Sequence, residues 1–231
     1  MIISLAQRAT QAQEYYFSVT LAEVRKLISA GHDVINMGIG NPDQSPSEAT
    51  IEALHRSALE AGSHGYQSYK GIPALRQGIA QWYPRIYDVT LDPETEILPL
   101  IGSKEGITHI SMTFLDAGDE VLVPELGYPA YRAVSQMVGA NVIEYPLLED
   151  QGWQPDWEIM HSLVGPQTKL LWLNYPHMPT GAPATRELFE NAVRFAHQHK
   201  ILLCHDNPYS LILNQKPPIS LLSIEGAKEV A

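Results

Sequence analysis

The sequence predicts an α/β fold: three layers, α/β/α, around a mostly parallel sheet, preceded by an N-terminal segment that stands apart from it. Three observations predict it. From about Glu96 onward, short apolar runs alternate with helical patterns, an order that calls for crossover helices and parallel strands buried on both faces. Most of those runs lead directly into turn-forming residues. The 231 residues are 45% hydrophobic, enough to bury a substantial core in one large domain plus an appendage.

Taken in order, residues 15–30 carry Phe17, Leu21, Val24, Leu27 and Ile28 at helical spacing, with Gly31 as the stop. Residues 33–37 form an apolar run that enters the turn-rich segment Gly38-Ile39-Gly40-Asn41-Pro42-Asp43, so they read as a strand entering a loop. Asp43 stands where a dinucleotide-binding turn needs its third glycine, and that fingerprint fails. Ser47 precedes a helix running to Ala61 with Glu48 in its first turn, and Pro73 opens another through Leu75, Ile79 and Trp82. Strands are expected at 97–101, 121–123, 142–145, 169–173 and 201–204. Helices are expected at 104–115, 130–138 and 185–199, with a weaker one at 156–163. No repeat, low-complexity tract or Gly/Ser linker divides the chain.

Bulk properties exclude several classes of function. Fifteen Lys and Arg against 26 Asp and Glu give a net charge of -11, with no basic surplus to displace counterions from a phosphate backbone, so nucleic acid is not an expected partner. No apolar run approaches the ~20 residues that span a bilayer, and the first six residues are too short for a signal-peptide core. The expected compartment is therefore the cytoplasm. The single cysteine, Cys204, sits in an apolar run and reads as a small core filler.

Four local signals bear on chemistry. Gly102-Ser103-Lys104-Glu105-Gly106 lies at a helix start, where backbone N–H groups and the Ser103 hydroxyl make an anion cradle or, equally, an ordinary N-cap. Tyr128, in Glu125-Leu126-Gly127-Tyr128-Pro129, follows a strand and offers either a flat stacking surface or a core aromatic. Asn174-Tyr175-Pro176-His177-Met178-Pro179-Thr180-Gly181 is a proline-stiffened turn that positions a substrate or is structural. Asp206 ends the last expected strand with Tyr209 three residues on; alone, such an Asp is also a helix cap or turn former. Their order raises their weight: each strand end delivers a group suited to a phosphorylated aromatic aldehyde.

On these residues the chain resembles the class I/II aminotransferases, the fold-type I pyridoxal-phosphate enzymes, from about Asp33 to Tyr209. The resemblance implies pyridoxal 5'-phosphate as cofactor and transfer of an amino group between an amino acid and a 2-oxo acid. It implies residues 1–45 as an N-terminal arm and small-domain segment, and residues 46–231 as the cofactor-binding large domain, incomplete at its C-terminal end. By resemblance, Ser103 and Lys104 hold the phosphate, Tyr128 stacks on the ring, Asp206 pairs with the ring nitrogen and Tyr209 hydrogen-bonds the ring hydroxyl. Gly40 approaches the substrate carboxylate. Tyr66, in Tyr66-Gln67-Ser68-Tyr69-Lys70-Gly71, matches a tyrosine that reaches the neighbouring subunit's phosphate, which implies a homodimer.

Two departures stand out. The family's Asn-Pro-Thr-Gly appears as Met178-Pro179-Thr180-Gly181, and a thioether donates no hydrogen bond, a loss of roughly 1.5–3 kcal/mol to the bound group. His177, one residue earlier, offers a substitute donor but reads rather as a surface histidine. The lysine that bonds the cofactor's aldehyde lies, in this family, in a serine-rich motif beyond the Asp-x-x-Tyr element, and none of the seven lysines here has that setting. The expectation is a truncated aminotransferase chain, inactive on its own. The alternatives are a noncatalytic remnant that binds the cofactor or dimerises, and a β-elimination lyase of the same fold.

Overall fold

The structure, a computed structural model, describes residues 2–10, 16–37, 40, 42–212 and 216–231. Gly38, Ile39 and Asn41 of the turn-rich loop, and the side chain of Phe17, lie outside the described residues. The chain forms two compact units, Ala12–Tyr69 and Met1–Gln11 with Lys70–Ala231.

The smaller unit holds helices α2 (Tyr16–Ser29) and α3 (Glu48–Leu59), after the short α1 (Gln7–Thr10) of the larger unit. Ser47 caps α3 as its sequence position predicts, its hydroxyl accepting from the Thr50 N–H. The expected strand at 33–37 is not formed. Its residues are mostly exposed, and no strand runs beside them among the described residues. An apolar run becomes a strand only where a neighbour takes up its backbone groups. Gly40 and Tyr66 are both exposed in this unit.

The larger unit continues with α4 (Pro73–Tyr87), α5 (Ser103–Phe114), β1 (Glu120–Pro124), α6 (Pro129–Met137), β2 (Asn141–Tyr145), α7 (Trp157–Leu163), β3 (Thr168–Asn174), α8 (Arg186–His199) and β4 (Leu202–Asp206). The four strands form one parallel sheet in the order β2-β1-β3-β4, the expected α/β/α architecture. The expected strand at 97–101 is also not formed. Pro99 has no N–H to give a ladder, and Leu98, Leu100 and Ile101 are exposed.

Side-chain alternation along the strands divides the core into two layers. Leu122, Leu171, Leu173 and Leu203 point to one face and pack with Met160 of α7, with Leu188, Phe189, Ala192 and Phe195 of α8, and with Leu221, Ile224 and Ala227 from the end of the chain. Val121, Val123, Leu170, Trp172 and Cys204 point to the other, against Ile107 of α5 and Tyr131 of α6. The chain steps from β1 outward to β2 with α6 on the second face. It returns past β1 to β3 and on to β4 with α7 and α8 on the first, as right-handed crossovers require when the direction of travel reverses. That reversal places a topological switch point between β1 and β3, where open α/β sheets bind ligands outside the carboxyl ends of their strands.

Candidate active site

Three segments converge on this carboxyl edge: the start of α5, the loop from β1 into α6, and the ends of β3 and β4. Asn174 and Asp206 are register partners at the ends of β3 and β4. Asn174 stitches them together: Nδ2 donates to the Asp206 carbonyl at 2.9 Å, while Oδ1 accepts from the Met178 N–H at 2.8 Å. Engaged at both Nδ2 and Oδ1, Asn174 sets the path of the turn that follows.

Asp206 is half-buried on the α5/α6 side of the sheet. Burial lifts its carboxyl above the ordinary carboxylate range, and a hydrogen bond from Tyr131 works against that rise. The Tyr131 hydroxyl donates to Asp206 Oδ2 at 2.7 Å. Tyr131 is buried, its ring stacked on Trp172 at 5.0 Å and 8°, and its own pKa is driven far upward, first by burial and then by the Asp206 charge. It therefore stays a donor.

Tyr128 occupies the N-cap position of α6 with extended backbone, and Pro129 follows at the first helical position. Its half-buried ring meets Tyr131 edge-on at 5.7 Å. The Lys104 ammonium lies 5.6 Å from the Tyr128 ring centroid, a cation–π distance. Contacts thus run unbroken from Lys104 through Tyr128 and Tyr131 to Asp206. The loop carrying Tyr128 needs its glycine, because a Cβ on Gly127 would stand 2.5 Å from Pro124 Cγ.

Ser103 is the first residue of α5, and the N-cap position belongs to Gly102 at φ 115°, which supplies no side-chain cap. The N-cap alternative for Ser103 therefore does not hold. No side chain caps this first turn, in which the Glu105 N–H bonds the Gly102 carbonyl, and the helix dipole favours an anion there. Gly106 packs against Leu100, where a Cβ would stand 2.7 Å from Leu100 Cδ1, so the helix start lies close to the incoming chain. Tyr209 stands on the turn after β4, partly exposed.

His177 is not a surface residue. It is 2% exposed, with Nδ1 2.8 Å from Thr180 Oγ1 and Nε2 2.9 Å from the Leu126 carbonyl. A carbonyl only accepts, so Nε2 carries the proton and Nδ1 accepts from Thr180. Burial lowers its pKa and preserves that neutral tautomer. The imidazole clasps the 174–181 turn to the loop that bears Tyr128. Burial likewise pushes the Cys204 thiol up to about 12, which suits a core filler and not a nucleophile.

Sequence reasoning missed Tyr131 and misplaced His177. A signal for Tyr131 was present: a tyrosine on the inward stripe of a short helix needs an acceptor for its hydroxyl, and Asp206 was the unpaired acid expected at the same edge.

The donor set fits a flat, phosphorylated ring. A half-buried carboxylate that burial disfavours gains from facing a cationic ring nitrogen, a helix start without a side-chain cap suits a phosphate, and an aromatic lies between them. Comparison with known proteins points the same way. The sequence profile described as "Aminotransferase class I and II" matches residues 32–230. The chain is 39% identical over 229 residues to an LL-diaminopimelate aminotransferase of Dehalococcoides mccartyi, covering 99% of this chain and 59% of that protein. It is 38% identical to the L-glutamine--4-(methylsulfanyl)-2-oxobutanoate aminotransferase of Bacillus subtilis, covering 93% of this chain and 54% of that protein. Apo BacF of Bacillus subtilis superposes with a TM-score of 0.92 at 36% identity, covering all of this chain and 58% of that one. Aspartate aminotransferase of Thermus thermophilus with maleate superposes with a TM-score of 0.89 at 30% identity, over 95% of this chain and 57% of that one. The chain spans less than two thirds of the length of the relatives it matches.

Proposed function

The chain belongs to the class I and II aminotransferases, and from that premise we propose that its site serves amino-group transfer between an amino acid and a 2-oxo acid, with pyridoxal 5'-phosphate held across the carboxyl ends of β1, β3 and β4. The observation that carries this reading is the Tyr131–Asp206 pair at the end of β4. Bound there, the cofactor supplies an electron sink for the substrate carbon that gives up its proton.

The chain's own residues do the rest. Asp206 holds the ring nitrogen in its protonated form, and Tyr131 fixes one carboxylate oxygen and favours the ionised acid. Tyr128 lies along the ring face, kept in place by the His177 clasp on its loop. Ser103, Lys104 and the first-turn N–H groups of α5 hold the phosphate, and Tyr209 donates to the ring hydroxyl. Gly40 passes the substrate carboxylate, and Tyr66 serves the phosphate of a second copy, so the site belongs to a homodimer. By the family resemblance residues 46–231 belong to the cofactor domain and residues 1–45 to the arm and small-domain segment of a cytoplasmic protein. That division differs from the two compact units of the chain, which separate 12–69 from the rest. The relatives named for LL-diaminopimelate make that amino acid the first substrate to try.

A second reading draws on the lysines: a chain that holds the cofactor without bonding it. Lys228 donates to the Thr90 carbonyl and to Glu96, and Lys169 pairs with Asp119. We expect the 231 residues alone to bind the cofactor without a covalent bond, because none of the seven lysines stands in the serine-rich setting of the family's aldehyde-bonding lysine. One experiment tests both. Titrating the chain with pyridoxal 5'-phosphate by absorbance and fluorescence should give saturable binding that Asp206→Asn weakens by roughly 10- to 150-fold, the equivalent of about 1.5–3 kcal/mol. Equal affinity in the variant would remove Asp206 from the site. Borohydride treatment followed by peptide mass spectrometry should leave no lysine labelled stoichiometrically; a single labelled lysine would show the chain self-sufficient.

A further inference from the structure

Away from the Asp206 edge, on the face of the sheet covered by α7 and α8, two histidines meet. His161, in the last turn of α7, and His199, at the end of α8, lie 38 positions apart in sequence, yet Nδ1 of the first is 2.7 Å from Nε2 of the second. Their ring centroids are 4.9 Å apart. That distance nearly equals the nitrogen gap plus two ring radii, its upper limit, so each nitrogen presents its in-plane lone-pair direction to the other. One proton can occupy the gap, donated by an N–H to a bare nitrogen. So can a cation with affinity for imidazole.

The pair is held from beneath. Phe195, 2% exposed, packs tilted against both rings, at 5.1 Å from His161 and 4.7 Å from His199, and Trp157 packs on Phe195 at 5.5 Å. His161 is exposed and His199 half-buried, so solvent reaches the nitrogens. The nearby His197 is engaged elsewhere, its Nε2 3.0 Å from the Gly226 carbonyl. Among the described residues no third His, Cys, Asp or Glu joins the pair.

We propose that His161 and His199 form a surface site for a late first-row divalent cation, zinc, nickel or copper, held by two imidazoles with water in the remaining positions. Imidazole nitrogen suits these ions, whereas magnesium and calcium prefer oxygen. Metal–nitrogen bonds of ~2.0–2.1 Å at a tetrahedral angle set the two nitrogens roughly 3.3 Å apart, so the rings open by about 0.6 Å. The exposed His161 side chain accommodates that by rotating. The ion takes the place of the shared proton, and the imidazole that gave it up carries its proton on the other ring nitrogen, so both ligands stay neutral imidazoles and no net proton leaves the pair. It joins α7 to α8, and because only the folded chain brings the two rings together, it stabilises the fold by mass action. The site is independent of the aminotransferase reading.

Calorimetric titration of tag-free protein with zinc chloride at neutral pH should show one site. His161→Ala, His161→Gln and His199→Ala should each weaken it by at least about tenfold with unchanged circular dichroism, and His197→Ala should leave it intact. With copper, electron paramagnetic resonance should show hyperfine coupling to two nitrogens, falling to one in each ligand variant. Absence of binding by the parent protein up to millimolar zinc would overturn the proposal. Undiminished zinc affinity in folded His161 and His199 variants would overturn it equally.

Discussion

His205 and Asp206 are neighbours at the end of β4, yet they face opposite sides of the sheet and experience opposite surroundings. His205 turns toward α8, its ring edge-on to Phe189 at 4.8 Å and its Nε2 2.8 Å from the Tyr175 carbonyl. Desolvation holds its pKa down to about 4, with the Tyr175 bond opposing only part of the drop. Asp206 turns toward α5 and α6. There, too, burial favours the neutral form, but a phenol is aimed at the carboxylate and sustains its charge. The same physical penalty thus produces a neutral structural bond on one face and a supported charge on the other.

The packing of the two faces follows the same division. Against α8, Leu188, Phe189, Ala192 and Ala196 have no exposed surface. On the α5/α6 side, the buried Ser111 Oγ and Trp172 Nε1 find no hydrogen-bond partner among the described residues, each a cost of about 1–3 kcal/mol. One face is optimised for cohesion, and the other sacrifices some of it at the edge where a ligand would sit.

The largest test of this division is Phe189→Ala, expected to cost about 3–5 kcal/mol in urea unfolding while leaving cofactor titration of the remaining folded protein unchanged. A cost below about 1 kcal/mol, within the range of surface changes, would show that the α8 face does not carry the core. Next comes acid. Unfolded His205 takes up a proton near 6.5 and the folded residue only near about 4, so between those values the unfolded state binds more protons and stability falls as pH falls. The loss amounts to about 2 kcal/mol once solvation of the partly exposed ring is allowed for, and His205→Phe should flatten it. Asp206 has the opposite sign: its raised pKa contributes stability below its unfolded value, and that contribution is lost as pH rises through the folded one. An acid limb identical in parent and variant would assign the loss to other groups. The smallest effect concerns the active edge: Met178→Asn restores a side-chain donor and should tighten pyridoxal-phosphate binding by about 0.5–1.5 kcal/mol, a part of the roughly 1.5–3 kcal/mol lost with the asparagine, because the surrounding loop is packed around a thioether. No gain would mean that the position 178 side chain does not reach the ring.

Much of this arrangement was legible in the residue order. Apolar runs bounded by turns located β1 to β4, Thr185 and Asp156 stand as N-caps where helical patterns begin, and Tyr128 and Asp206 follow the strands their positions implied, whereas Ser103 opens α5 with no strand before it. The apolar runs at 33–37 and 97–101 misled because strand identity depends on a neighbour, which no local pattern names. His177 misled for the same reason: its partner, the Leu126 carbonyl, lies 51 residues away.

What the sequence alone determined is the succession of strands and crossover helices and the identity of the residues at each strand's end, because periodicity and turn chemistry act over a few residues. Only the tertiary structure decided the pairings: Tyr131 with Asp206 across 75 residues, His161 with His199 across 38, and the assignment of His205 and Asp206 to different faces. Those depend on the order β2-β1-β3-β4, since burial, and with it every shifted pKa and buried hydrogen bond, arises only when distant segments close over one another.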